Sequence, residues 1–370
     1  MASTIYKRLI VNSGIFLIGA SPLLYYSIAR EKSVLNILKA TAISTLGSIS
    51  WYYYTKDTKK LEGSFNRVVF ITGCDSGLGY SFAQHTTELG FTVFAGFLDV
   101  NSEGSKQLQK ICGNLLVPLQ LDICNEEHVQ AVEERLTKFF DENPNAEFHA
   151  LINNAGVMVF GEFDWQTKKL INDQIQINLF GTMRITQICL PFLRKHKGRI
   201  ISIGSHCASV TLPGLAVYGA TKAALHAWSD GLRLELAKYG VRVIKFVPGS
   251  FITQSKIMDR LKKDRMEIEN NLTEEKQLFY NNYIENYYDY LTMIPSSNRI
   301  EKINDKKLYE KFEAALKDQN PKTIYKHEPF NYRVHHFLFK ILPTKYRDLL
   351  VCRFVQLPVW KPVENEREQS

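Results

Sequence analysis

The apolar residues of this chain fall into three patterns. Residues 9–29 form an apolar run of about bilayer length, interrupted mildly by Asn12, Ser13 and Pro22, and residues 34–54 form a second, weaker one containing Asn36 and Lys39. About 20 apolar residues cross a hydrocarbon core. The aromatic group Trp51-Tyr52-Tyr53-Tyr54, followed by Lys56, Lys59 and Lys60, has the make-up of an interfacial belt and a cytoplasmic stop. One or two membrane segments within an N-terminal anchor, residues 1–60, are therefore predicted. From Arg67 the pattern changes to short continuous runs, 68–71, 92–97, 116–121, 149–152 and 199–203, with the length and composition of strands buried on both faces. They alternate with helix-like stretches such as 126–140, which predicts α/β units on a parallel sheet. Beyond Gly249 the chain turns charged and aromatic: residues 279–280 and 283–290 read as parts of an amphipathic helix, and 334–342 is another apolar run. Tyrosine stripes of helical period usually pack a core.

A length of 370 residues with 45% hydrophobic content suffices for one core with appendages. The net charge of +8 would suit an anionic partner such as nucleic acid, but it is concentrated at the start of the chain. Residues 1–60 hold Lys7, Arg8, Arg30, Lys32, Lys39, Lys56, Lys59 and Lys60 against Glu31 and Asp57, giving +6 and leaving +2 for the other 310 residues. Cations bracketing apolar segments belong to a membrane-inserted terminus, and without a basic patch elsewhere no nucleic acid is expected. A cleaved signal peptide is disfavoured because the first run exceeds a usual h-region. A mitochondrial presequence fits the lack of acid before Glu31 but not the apolar character. Two spans would leave the rest of the chain in the cytoplasm; one could leave it in a lumen, where Asn271-Leu272-Thr273 would be a glycosylation sequon. Cys74, Cys112, Cys124, Cys189, Cys207 and Cys352 include no C-x-x-C, so neither a metal site nor a disulfide framework is indicated. Cys207 is the one placed to matter.

Chemistry begins where the first strand ends. Thr72-Gly73-Cys74-Asp75-Ser76-Gly77-Leu78-Gly79 follows it and leads into a helix-like stretch, the order in which backbone amides and a helix N-terminus bind a pyrophosphate. The expected fold is therefore a Rossmann-like doubly wound parallel sheet with its ligand at the carboxyl edge. At the end of the second strand, Phe97-Leu98-Asp99 offers an acid for a ribose 2′-OH, with no Lys or Arg there or in residues 74–76. NAD is thus the expected cofactor and NADP the alternative. Asp122 and Ile123, after the third strand, suit the adenine edge, and the fourth strand runs into Asn153-Asn154-Ala155-Gly156.

Proton chemistry comes later in the chain. Ser205 follows the strand at 199–203, and thirteen residues on, Tyr218 and Lys222 share a helix face at i and i+4. A carbonyl gaining hydride needs a proton donor, and a tyrosine serves when a nearby ammonium lowers its pKa. Ser205 would donate to the same oxygen, and Asn178 would hold a water linking Lys222 to solvent.

These motifs, in order with Pro248-Gly249, resemble the signature of the short-chain dehydrogenases/reductases over about residues 66–255. The resemblance implies a catalytic tetrad of Asn178, Ser205, Tyr218 and Lys222, with Lys222 also on the nicotinamide ribose. It implies a cofactor site from Thr72, Gly73, Asp75, Ser76, Gly77, Leu78, Gly79, Asp99, Asp122, Ile123, Asn154, Ala155, Gly156, Pro248 and Gly249, with Thr253 at the carboxamide. It also implies a domain over 66–320, a lid over about 250–290 and a homodimer or homotetramer built through the helices after Asn178 and around Lys222. Residues 321–360 are expected as a lid or membrane-contacting helical extension, and 361–370 as a disordered tail. Gly73-Cys74-Asp75-Ser76-Gly77, Val93-Phe94-Ala95-Gly96 and Leu342-Pro343-Thr344 resemble the branch of retinol dehydrogenases, 17β-hydroxysteroid dehydrogenases and membrane-bound 3-hydroxybutyrate dehydrogenase.

Ser205, Cys207, Leu215 and Tyr218 are the expected substrate-facing residues. In hydroxybutyrate dehydrogenases a base three positions before the tyrosine can hold a carboxylate; here that position is Leu215. An anion needs a cation in a desolvated pocket, whereas Val210, Leu212, Leu215 and Val217 suit apolar walls. The expectation is a lipophilic hydroxysteroid or retinoid substrate for a membrane enzyme of the endoplasmic reticulum. The alternatives are a mitochondrial 3-hydroxybutyrate dehydrogenase and a non-catalytic nucleotide-binding scaffold.

Overall fold

The computed structural model describes residues 41–50, 60–62, 64–249, 251, 257–294 and 300–362. The chain divides into two units, 1–59 and 60–370. In the first, residues 41–50 are helical. The apolar run at 9–29 and most of that at 34–54 lie outside the described residues, as does the tail from 363 onward. Among the described residues no helix is long and apolar enough to cross a membrane.

The second unit is built on seven parallel strands: β1 (Arg67–Thr72), β2 (Thr92–Phe97), β3 (Leu116–Gln120), β4 (Glu147–Asn153), β5 (Arg199–Ile203), β6 (Arg242–Val247) and β7 (Ile324–Lys326). Their order across the sheet is β3-β2-β1-β4-β5-β6-β7, so the winding reverses beside β1 and opens a crevice at its carboxyl end. Register is fixed by pairs such as Val69 with Val93 on one side and with Ala150 on the other. Successive β1 residues face opposite layers. Val69 and Ile71 join α1 (Gly77–Glu88), α2 (Glu103–Cys112) and α10 (Lys306–Lys317); Val68 and Phe70 join α3 (Glu126–Glu142), α5 (Thr182–His196) and α6 (Ala216–Leu236). That two-sided cover is why the strands read as unbroken apolar runs.

On the first face Phe82 and Phe312 stack 4.0 Å apart. The buried guanidinium of Arg199 donates to the carbonyls of Ala315 and Asp318, at 2.9 and 3.1 Å, which satisfies a cation inside the domain and ties β5 to α10. The sheet continues to Lys326, past the boundary at 320 expected for the domain, because α10 covers its face and β7 pairs with β6.

A third cluster sits above the carboxyl edge. Met158, Val159, Phe160, Trp165, Cys207 and Leu215 pack there against α7 (Ile257–Glu269) and α9 (Tyr283–Thr292). The Trp165 ring takes the edges of Tyr280 on α8 (Glu274–Tyr280), Tyr283 and Tyr287, so the tyrosine stripe is core, as its helical period suggests. After β7 come α11 (Phe330–Ile341) and α12 (Thr344–Val355), paired through Phe339 and Phe354. Val334, Phe337, Ile341 and Leu349 on these helices are exposed.

Candidate active site

The glycine turn is assembled by backbone contacts. Thr72 ends β1, and its hydroxyl oxygen accepts the N–H groups of Asn154 and Ala155 at 3.1 and 3.0 Å. The Asn154 amide donates back to the carbonyls of Thr72 and Gly73, both at 2.9 Å. A Cβ on Gly79 would stand 2.0 Å from the Gly73 oxygen and 2.4 Å from the Asn154 amide nitrogen, so only glycine lets α1 start this close to the turn. Ser76 occupies the helix N-cap without a side-chain hydrogen bond. Gly77 and Leu78 open the helix, whose first amides face the carboxyl edge. This cradle fits the pyrophosphate of a dinucleotide on its own geometry.

Asp75 is used differently from the expectation. Its carboxylate accepts the N–H groups of Leu98 and Asp99, at 3.0 and 3.3 Å, bracing the turn against the end of β2. Asp99 is the exposed acid of the pair, and its carboxylate accepts the N–H of Asn101 at 2.8 Å. Asp122 accepts from Cys124 N–H at 2.9 Å, and Ile123 is buried with its carbonyl accepting from Arg184. Pro248 and Gly249 follow β6 at the same edge; Thr253 lies outside the described residues.

Ser205 follows β5, Tyr218 and Lys222 sit in the first turns of α6, and Asn178 lies in a π-helical segment, Gln176–Gly181, between α4 (Lys168–Ile175) and α5. The Lys222 ammonium is 5.8 Å from the Tyr218 ring centre and donates to the Ile203 carbonyl at 3.0 Å. Ser205 is near enough to the Tyr218 phenol to lower its pKa, and its hydroxyl oxygen accepts Cys207 N–H at 3.2 Å. A Cβ at Gly156 would lie 3.1 Å from Asn178 Oδ1 and 3.5 Å from Lys222 Nζ, so the chain after β4 closes the group.

Two details correct the expectations. The Asn178 side chain is fully engaged: its oxygen accepts Val157 N–H at 2.7 Å, and its nitrogen donates to the Val157 carbonyl and the Thr221 hydroxyl at 2.8 and 3.0 Å. It fixes the helix that carries the tyrosine, and the Asn178 backbone carbonyl accepts the Thr182 hydroxyl at 3.3 Å. Secondly, Lys222 does not pull the phenol down in this arrangement. Burial pushes Tyr218 up from the ordinary tyrosine value, against the Ser205 hydroxyl that lowers it, and burial brings Lys222 down to about 8. Thr221, which sequence reasoning missed, also donates to the Tyr218 carbonyl at 2.8 Å. Its only signal was its place between the two functional residues.

Of the residues expected to face a substrate, Cys207 and Leu215 are buried in the third cluster, with Leu212 and the Tyr218 ring against it. Burial pushes the Cys207 thiol up, so it adds no charge. Tyr287 packs under this wall, its hydroxyl 2.0 Å from where a Cβ on Gly214 would stand.

Residues 67–264 match the short chain dehydrogenase family. The chain is 35% identical over 211 residues to the mitochondrial D-beta-hydroxybutyrate dehydrogenase of Mus musculus, covering 55% of this chain and 61% of that protein. It is 35% identical over 235 residues to the 17-beta-hydroxysteroid dehydrogenase type 2 of Homo sapiens, covering 62% and 59%. The chain thus spans about three fifths of these relatives. A crystal structure of a short-chain dehydrogenase from Streptomyces avermitilis aligns with a TM-score of 0.47 at 28% identity, over 50% of this chain and 67% of that one.

Proposed function

The chain belongs to the short chain dehydrogenase family, and from that premise we propose that it is an NAD(H)-linked oxidoreductase interconverting an alcohol and its carbonyl on a lipophilic hydroxysteroid or retinoid. The observation that carries this reading is the gathering of Ser205, Tyr218 and Lys222 beside the glycine cradle, under a wall of apolar and aromatic side chains. Bound nicotinamide supplies or takes the hydride. Tyr218 gives a proton to the nascent alkoxide, or takes one from the alcohol, and Ser205 donates a hydrogen bond to the same oxygen. Lys222 holds the ribose and feeds protons to Tyr218, and Thr253 contacts the carboxamide. Asp99 at the β2 end, with no cation in residues 97–101, favours a ribose 2′-OH over a 2′-phosphate.

The substrate class rests on the uncharged wall around Cys207 and Leu215, and on likeness to a hydroxysteroid dehydrogenase. The likeness to a hydroxybutyrate dehydrogenase supports a second reading, weakened by the absence of a cation at Leu215. Attachment to the endoplasmic reticulum membrane through residues 1–60, and a homodimer or homotetramer, complete the proposal.

The raised Tyr218 sets a pH signature. A protonated phenol is the form that reduces a carbonyl, so reduction runs at neutral pH and slows as pH rises, while alcohol oxidation gains. The Lys222 ammonium, which feeds protons to Tyr218, is depleted above about 8, so the reductive rate falls there as well.

The test is NADH formation by detergent-solubilised protein with steroid alcohols, retinol and 3-hydroxybutyrate, repeated with NADP. Steroid or retinol oxidation with NAD supports the proposal. Turnover of 3-hydroxybutyrate alone overturns the substrate class, and NADH binding without turnover of any alcohol indicates a scaffold.

A further inference from the structure

Outside the tetrad, three side chains with ligand atoms meet beside Ser205. His206 is the next residue along the chain. Glu328 follows β7 by two residues, and His336 lies on α11. The two imidazole rings stack 4.0 Å apart. One Glu328 oxygen lies 2.5 Å from His336 Nδ1 and 3.8 Å from His206 Nε2. One ligand atom from each residue falls within 4.8 Å of the others. The Glu328 side chain is only 6% exposed, and His206 Nε2 is buried with no hydrogen-bond partner among the described residues.

An ion pair accounts for only half of this arrangement. Glu328 and His336 form one, and burial works against the carboxylate while the His336 hydrogen bond and the other neighbours bring it below its ordinary range. His206 Nε2 stands 3.8 Å from the same Glu328 oxygen and makes no hydrogen bond to it. A buried nitrogen left unbonded is destabilising. Two imidazoles and a carboxylate make a His₂Glu donor set, the kind that holds zinc when both rings are neutral. Tetrahedral zinc with ligands about 2.0–2.2 Å away holds them roughly 3.3 Å apart, so small side-chain rotations from the observed positions suffice.

We propose that His206, Glu328 and His336 bind one zinc-class divalent ion, which ties α11 to the loop carrying Ser205. Three protein ligands leave one coordination position for water. The three residues span 130 positions of sequence with no metal-ligand spacing, which is why the cysteine count gave no hint of the site. Lys326 and Lys340 are near enough to act on His206, and their charges oppose a cation. The ion therefore binds less tightly than the donor set alone would allow.

The test uses the full chain, solubilised in detergent, stripped with a chelator and titrated with Co²⁺, followed by displacement with Zn²⁺. The expected result is one equivalent bound, with visible d–d bands of a four-coordinate ion and no thiolate charge-transfer band, and at least about a 100-fold affinity loss in both Glu328→Gln and His336→Gln. Absence of these bands from the wild-type protein overturns the proposal, whether or not the variants fold. Undiminished Co²⁺ binding by either variant, or a thiolate band that places the ion on cysteine, overturns it as well.

Discussion

The glycine-turn side of the crevice is held by hydrogen bonds between particular side chains and backbone groups, whereas the side lined by Cys207 and Leu215 is held by apolar and aromatic packing. Thr72 bonds two amides, Asn154 bonds two carbonyls, and Gly79 has no room for a methyl group. Opposite them, Trp165, Tyr280, Tyr283 and Tyr287 meet edge to face around Phe160 and Leu215. A directional contact demands one residue type at one position, while a packed cluster accepts many combinations of similar volume. The first side therefore specifies its ligand, and the second specifies little beyond the apolar character of what it meets.

Substitutions on the two sides should differ in kind as well as size. Gly79→Ala forces backbone apart at the cradle; overpacking costs about 1–3 kcal/mol even where side chains can give way, and here they cannot. Dinucleotide affinity should fall beyond detection, with a marked drop in melting temperature. Retention of NADH binding, read by its fluorescence, would mean that the cradle is not the phosphate site. Thr72→Val leaves two amides without an acceptor, at about 1–3 kcal/mol each. It should lower both stability in denaturant titration and NADH affinity; a loss of stability alone would separate the brace from the site. Gly214→Ala carries the smallest expected effect. Its φ of +77° costs an alanine about 1–2 kcal/mol, and the added methyl presses on the hydroxyl end of the buried Tyr287 ring. The variant should alter KM for the alcohol and leave NADH affinity unchanged. A matching loss of NADH affinity would show that the two sides are one mechanical unit.

The same contrast explains what was legible in the sequence. Thr72, Gly73, Gly79, Asn154, Ser205, Tyr218 and Lys222 stood out because their jobs are directional, and the structure gathers them at one edge. Five of the buried strands were legible because cover on both faces makes them continuous apolar runs, whereas β6, broken by Arg242 and Lys245, was not read as one. The role of Asp75 was not legible, since a carboxylate that braces Leu98 and Asp99 looks the same in sequence as one that faces a ribose. Nor was the commitment of the Asn178 amide to Val157 and Thr221, because partners 21 and 43 positions away leave no local pattern. Strand β7 was missed for a different reason: three residues are too few to show a period.

The central claim is that Tyr218 moves the proton at a site whose cofactor cradle is built independently of it. The most direct measurement pairs NADH binding with turnover of an alcohol substrate in Tyr218→Phe. The account predicts NADH affinity within about a factor of two of the unsubstituted protein and turnover reduced by about 10²–10⁴-fold. Undiminished turnover, or loss of NADH binding along with activity in a folded variant, would contradict it.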